Sequence, residues 1–120
     1  MAYIYKNITG DSEQTLITKS ELRNGPIKAM SICNAHASDN VLIDLYLYKT
    51  STSNVPNEYN DWTPVTTTNK YSIVKNFLIS NGSTVKFEKD DFLIDYKTSE
   101  YMLNIKLSAA DGAADIIINK

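Results

Sequence analysis

The stretch Val41-Leu42-Ile43-Asp44-Leu45-Tyr46-Leu47-Tyr48 decides the fold class. Successive side chains of a strand point to opposite faces, so Val41, Ile43, Leu45 and Leu47 share one face. Leu42, Asp44, Tyr46 and Tyr48 share the other. The first set is the core face, because burying Asp44 without a partner is costly. The polar turn 35–40 precedes this strand, and another apolar run, 26–34, precedes the turn, which reads as a hairpin. Within that run Ile27, Ala29, Ser31 and Cys33 oppose Met30 and Ile32. A strand apolar on both faces needs cover on both, from a long loop or from a partner subunit.

Outward from there the pattern repeats. Strands are expected at 2–8, 14–18, 71–79, 84–88, 92–96, 101–107 and 115–119, broken by Asn, Asp and Ser clusters. Leu103, Ile105 and Leu107 should point inward, as should Ile116 and Ile118. Asn81-Gly82 marks a tight turn, since it tolerates positive φ. Thr18 and Glu21 have capping-box spacing and Asn24-Gly25 is a stop signal, so one short helical turn is expected between them. Residues 50–69 form the longest polar stretch, with Pro56 and Pro64, and read as a long loop containing Tyr59 and Trp62. No run with helical period lies between the strands, which argues against parallel α/β. The expectation is one domain over 1–120, an all-β antiparallel sandwich of about eight strands, jelly-roll or immunoglobulin-like.

Composition narrows the chemistry. The chain has 120 residues, 42% apolar and 22% charged, as in ordinary globular proteins. The longest apolar runs fall far short of a bilayer span. The first ten residues lack a basic start and apolar core, so no signal peptide is expected. A net charge of −2 and a pI near 5.3 do not suit a nucleic-acid partner. A single cysteine, Cys33, excludes an internal disulfide and a cysteine zinc site, and a single histidine, His36, excludes a multi-histidine metal centre.

The remaining chemical groups read as structural. Cys33 with His36 could be a nucleophile and base, but no glycine elbow flanks them, and a small buried thiol beside a turn histidine is the simpler reading. Asp90, Asp91 and Asp95, and Asp39-Asn40, match no calcium-loop spacing. Asp44 and Glu58 could pair only if the fold joined them. Asn7-Ile8-Thr9 and Asn81-Gly82-Ser83 fit the glycosylation sequon, most simply by chance. No catalytic, cofactor or metal residue is therefore expected, and the chain reads as non-enzymatic. The candidates for contact are instead Leu42, Tyr46 and Tyr48, an apolar and aromatic row opposite the core face, with Tyr59 and Trp62 in the long loop.

The order of these patterns resembles small virion structural proteins of tailed bacteriophages. The resemblance runs through Ser31-Ile32-Cys33-Asn34, the hairpin strand at Val41, then 71–79 leading into Asn81-Gly82-Ser83-Thr84-Val85, the small-residue turn 109–113 and the last Ile-rich strand. It covers roughly 16–119. Its motifs are soft β patterns, and the chain departs from them at 50–69 and at Ser80-Asn81. The resemblance implies a β-sandwich decoration, neck or tail component, localised to the virion after assembly in the host cytoplasm. Its partners would be other virion proteins and further copies of itself, with a closed ring such as a trimer the simplest arrangement. The alternative is a lectin-like module that recognises host surface glycans through Tyr59 and Trp62. Neither reading involves nucleic acid, a membrane or a cofactor.

Overall fold

The structure is a computed structural model that describes residues 3–56, 62–94 and 100–120, the side chains of 52–56, 62 and 63 excepted. Among the described residues there are eight strands: β1 (Tyr3–Thr9), β2 (Gln14–Ile17), β3 (Ala29–Asn34), β4 (Val41–Pro56), β5 (Trp62–Ile79), β6 (Thr84–Glu88), β7 (Met102–Leu107) and β8 (Ala113–Asn119). They form two antiparallel sheets, ordered β1-β8-β3-β6 and β2-β7-β4-β5. The pairs β4·β5, β3·β6, β2·β7 and β1·β8 nest inside one another. The chain is one long hairpin, folded at the β4–β5 connection and rolled up. That topology is a jelly roll, so of the two sandwich types expected from the sequence the second is set aside.

Alternation placed the core correctly. Ile43, Leu45, Leu103, Ile105 and Leu107 from one sheet are fully buried against Met30, Ile32, Ile116 and Ile118 from the other. Each such side chain contributes about 1.5–3 kcal/mol through burial. The capping box is also present. Thr18 Oγ1 accepts from the Glu21 amide and Glu21 Oε1 accepts from the Thr18 amide, starting the helix α1 (Lys19–Arg23), which buries Leu22. At Asn81-Gly82, Gly82 takes φ 73° as the turn requires.

Four expectations fail. β3 and β4 do not form the expected hairpin: they lie in different sheets, and the 35–40 turn crosses from one to the other. β3 begins at Ala29, so 26–28 are not strand. Residues 92–94 are not strand either; a 3-10 turn at Lys89–Asp91 precedes them, and 95 and 96 lie outside the described residues. The largest correction concerns 50–69. Instead of a long loop, 49–56 pair one for one with 62–69, from Lys49↔Asn69 to Pro56↔Trp62, which extends β4 and β5 far past the sandwich. β-branched threonines suit a pleated ribbon as well as a loop.

Candidate interaction surfaces

Four places on the molecule could carry function: the arm made by β4 and β5, the outer faces of the two sheets, and the His36 cluster. The arm starts where β7 ends. β7 accompanies β4 from Ile43 to Tyr48, and the last shared pair is Tyr48↔Met102. Eight further pairs bond only β4 to β5. At about 3.3 Å per residue they project roughly 26 Å, within a molecule 58 Å long and 19 Å thick. The root of the arm is tied down. Lys49 Nζ lies 2.8 Å from Glu100 Oε2 and 5.7 Å from the Tyr101 ring centre, and Tyr101 meets Tyr71 edge-on at 5.6 Å. Nearby Leu93, 89% exposed, borders a cavity of about 230 Å³ with Leu47, Tyr71, Ile73 and Ile94.

The outer face of the β2-β7-β4-β5 sheet holds the tyrosine row, but not as an exposed row. Tyr46 is only 5% exposed. Lys70, which bonds Glu13, lies 5.3 Å from the Tyr46 ring centre and 5.7 Å from that of Tyr48, so an ion pair with cation–π contacts roofs both rings. The expected interface row therefore loses Tyr46, and Tyr48 is half-buried. Leu42 remains outward, 36% exposed, beside its cross-strand neighbour Leu78 at 55%. The Tyr46 hydroxyl is buried without a hydrogen bond, and burial, with Glu13 beside it, pushes its pKa well above the ordinary phenol value. The bond from Lys70 holds the Glu13 carboxyl below its usual range and raises the Lys70 ammonium. A groove of about 490 Å³ runs over this face between Glu13, Asp44, Lys75 and Lys106. Asp44 is committed to structure. Its Oδ1 accepts the Asn76 amide at 2.7 Å, where Asn76 takes φ 52° in a bulge of β5.

The outer face of the other sheet carries Tyr3 and Tyr5, with ring centres 6.4 Å apart, beside Ile117. Tyr5 is 70% exposed. β3 lays Ala29, Ser31 and Cys33 on the same face, and all three are half-buried.

His36 sits in the β3–β4 connection with its roles fixed by geometry. Nδ1 accepts from the Ser38 and Asp39 amides at 3.0 and 2.9 Å, and Nε2 lies 2.9 Å from Asp111 Oδ2. Two donors at Nδ1 place the proton on Nε2, which donates to Asp111. Asp111 pulls the imidazole pKa upward and is itself held low by the ring. The two amides oppose that rise by favouring the neutral ring. His36, Asp39 and Asp111 bring three potential ligand atoms together. Coordination through Nε2 would move the ring proton to Nδ1, against both amides, so the set suits a loop clasp better than a cation. With both ring nitrogens occupied, His36 is no base for Cys33.

Sequence reasoning missed Asn34. Its side chain is buried, donates through Nδ2 to the carbonyls of Ile79 (3.0 Å) and Asp39 (2.9 Å), and accepts the His36 amide at 3.0 Å. One residue thus joins β3, the loop to β4 and the end of β5. An asparagine at an inward position of an apolar strand was the available signal. Of the two loop aromatics, Tyr59 lies outside the described residues, and Trp62 is placed by backbone only, at the start of β5. Asp95 and Glu58 also lie outside them. Asn7 of the first sequon donates to Asp115 at 2.7 Å. No helix among the described residues is long and apolar enough to cross a membrane. Comparison with protein-family models, curated proteins and solved structures returned no match.

Proposed function

We propose that this chain is a non-enzymatic structural protein of a tailed-phage virion, a decoration, neck or tail component that works through protein–protein contacts. The observation that supports it is the arm. An isolated two-stranded ribbon is at best marginally stable in water, and this one extends past its own sheet for eight residue pairs. Such a ribbon gains order from contact with another chain. A jelly roll alone implies no function, because the fold hosts many; the virion assignment draws on the sequence resemblance. The non-enzymatic reading is supported by how the titratable groups are spent. His36 clasps a loop, Asp44 holds a bulge, and Glu13 and Lys70 cover Tyr46.

The test is an armless variant in which residues 50–68 are replaced by a two-residue Asn-Gly turn between Lys49 and Asn69. It should fold, because the core contacts lie in the sandwich, and it should no longer incorporate into particles assembled in its presence. Incorporation equal to wild type, or absence of the wild-type chain from purified particles, would overturn the proposal. Glycan binding by the wild-type protein, lost in Trp62→Ala, would favour the lectin-like alternative.

A further inference from the structure

We propose that two copies of this protein pair through the open edge of β4 in the arm, antiparallel, about a twofold axis at Thr52. The backbone groups of β4 point in directions that leave one edge of the arm unpaired among the described residues. The Leu42 amide donates to Ser108 Oγ at 3.1 Å and its carbonyl accepts the Ser108 amide at 3.0 Å, so both groups face the β7 side. β4 then pairs with β7 residue for residue from Ile43 to Tyr48 and with β5 residue for residue from Tyr46 outward, so β4 itself carries no bulge there. In an unbroken strand successive residues turn their N–H and C=O to alternate sides. Even-numbered residues of β4 therefore face the β7 side, and odd-numbered ones face β5. Past Tyr48, β7 has ended. The N–H and C=O of Thr50, Thr52 and Asn54 point to a side where no described strand lies.

Pro64 supports this assignment independently. It pairs with Asn54, an even-numbered partner. Proline belongs where its missing N–H leaves no ladder bond unmade, facing away from the partner strand. The even pairs of the arm are thus the ones that do not bond across it. The same proline guards the far side of the arm. β5's outer edge carries Pro64 in the ribbon and the Asn76 bulge in the sandwich, two common ways of blocking edge pairing. The β4 edge carries neither between Lys49 and Val55.

The occupant that fits is the same edge of a second copy. Even-numbered residues must meet even-numbered residues for their groups to bond. An antiparallel match across a twofold axis does this wherever the axis passes through a residue from Thr50 to Asn54. Centring at Thr52 uses the edge from Lys49 to Val55 in full. Thr50 meets the partner's Asn54, Thr52 meets the partner's Thr52, and each pair exchanges two bonds. Lys49, the one charged residue of this edge, meets the partner's Val55, so no like charges face each other. The contact is isologous and closes on itself. It joins the two arms into a four-stranded sheet with one sandwich at each end. The inference uses ladder geometry alone, so it stands or falls separately from the place of the protein on a particle.

Sedimentation velocity and amide hydrogen exchange on the wild-type chain, from low to high micromolar, test it. Dimers should form as concentration rises, and the Thr50, Thr52 and Asn54 amides should become protected in parallel, from a lower starting protection than the Ser51, Ser53 and Val55 amides, which already bond across the arm. Thr52→Pro removes an outward N–H at the axis and should weaken dimerisation by about tenfold or more. Thr68→Pro makes the matched change on the β5 edge and should leave it intact. A chain that stays monomeric at high concentration overturns the proposal. So does even-residue exchange that is independent of concentration, or a dimer that Thr68→Pro disrupts and Thr52→Pro does not.

Discussion

Asn34 is the position where the fold is most exposed to a single substitution. Asn34→Ala removes three hydrogen bonds, to the carbonyls of Ile79 and Asp39 and from the amide of His36. Each contributes about 1 kcal/mol net. A small cavity adds to this, for about 3–4 kcal/mol in all, a large share of the ~5–15 kcal/mol that holds a typical domain folded. With about 2.1 cal/mol/K of unfolding entropy per residue, the chain unfolds with roughly 250 cal/mol/K, so Tm should fall by about 12–16 °C. Asn34→Asp gives the discriminating result. It keeps the acceptor but turns a carboxylate oxygen toward two carbonyls. Its folded pKa must rise above the unfolded carboxyl value, so the folded state takes up a proton first as pH falls. The deficit relative to wild type should therefore be largest near neutral pH and shrink on acidification, when the protonated acid can donate to one carbonyl. Calorimetry and urea melts across pH read both effects. A loss of less than about 1 kcal/mol in Asn34→Ala, or an Asn34→Asp deficit that does not change with pH, would refute the assignment.

Four further outcomes follow from the geometry. Glu13→Gln breaks the ion pair over Tyr46. Because Lys70 lowers the Glu13 pKa, wild type should exceed the variant in stability above the ordinary carboxyl value of 4.5, and the gap should close as pH falls below it, in melts at stepped pH. Tyr46→Phe deletes a buried hydroxyl that makes no hydrogen bond, so its stability should stay within about 0.5 kcal/mol of wild type or rise, whereas Tyr46→Glu should unfold the chain by circular dichroism. Leu45→Ala, at the centre of the core, should cost about 2–5 kcal/mol in urea melts. Nitrogen chemical shifts of His36 above pH 8 should report the Nε2–H form; the Nδ1–H form would contradict the two amide contacts.

Legibility in the sequence followed the strength of the physical signal. Where one face is buried, a one-residue slip would turn apolar side chains to water, so period-two alternation fixed the inward faces of β4, β7 and β8. Turn chemistry was equally readable at Asn81-Gly82 and at the Thr18–Glu21 box, since each depends on residues adjacent in the chain. Tyr46 was misplaced for the opposite reason. Alternation gives the face of a sheet, not what lies over it, and the Lys70–Glu13 pair that roofs the ring joins residues 57 positions apart. Asn34 was hidden in the same way: its partners Asp39 and Ile79 come from the loop before β4 and from the end of β5.

The arm shows where sequence patterning stops carrying information. Residues 49–56 and 62–69 are mostly Thr, Ser and Asn, with Val55, Trp62 and Val65 too few to mark a face, so the hydrophobic alternation that marks a strand is absent. What makes them a ribbon is the ladder inherited from β4 and β5, which are already paired when they leave the sandwich at Tyr48↔Lys70. Extending an existing ladder needs no new loop closure, so threonines that would be loop elsewhere continue as strand. A ribbon held only in this way has little burial to stabilise it, and its ordering depends on whatever lies alongside. Its length, its even-residue edge and its proline are what support the proposed pairing with a second copy. That view makes a checkable statement about the isolated monomer: at dilution, arm amides should exchange much faster than those of β4 between Ile43 and Tyr48, although both belong to one continuous strand. Equal protection along β4 in the monomer would mean that the arm is stable by itself, and the physical case for a partner would lapse.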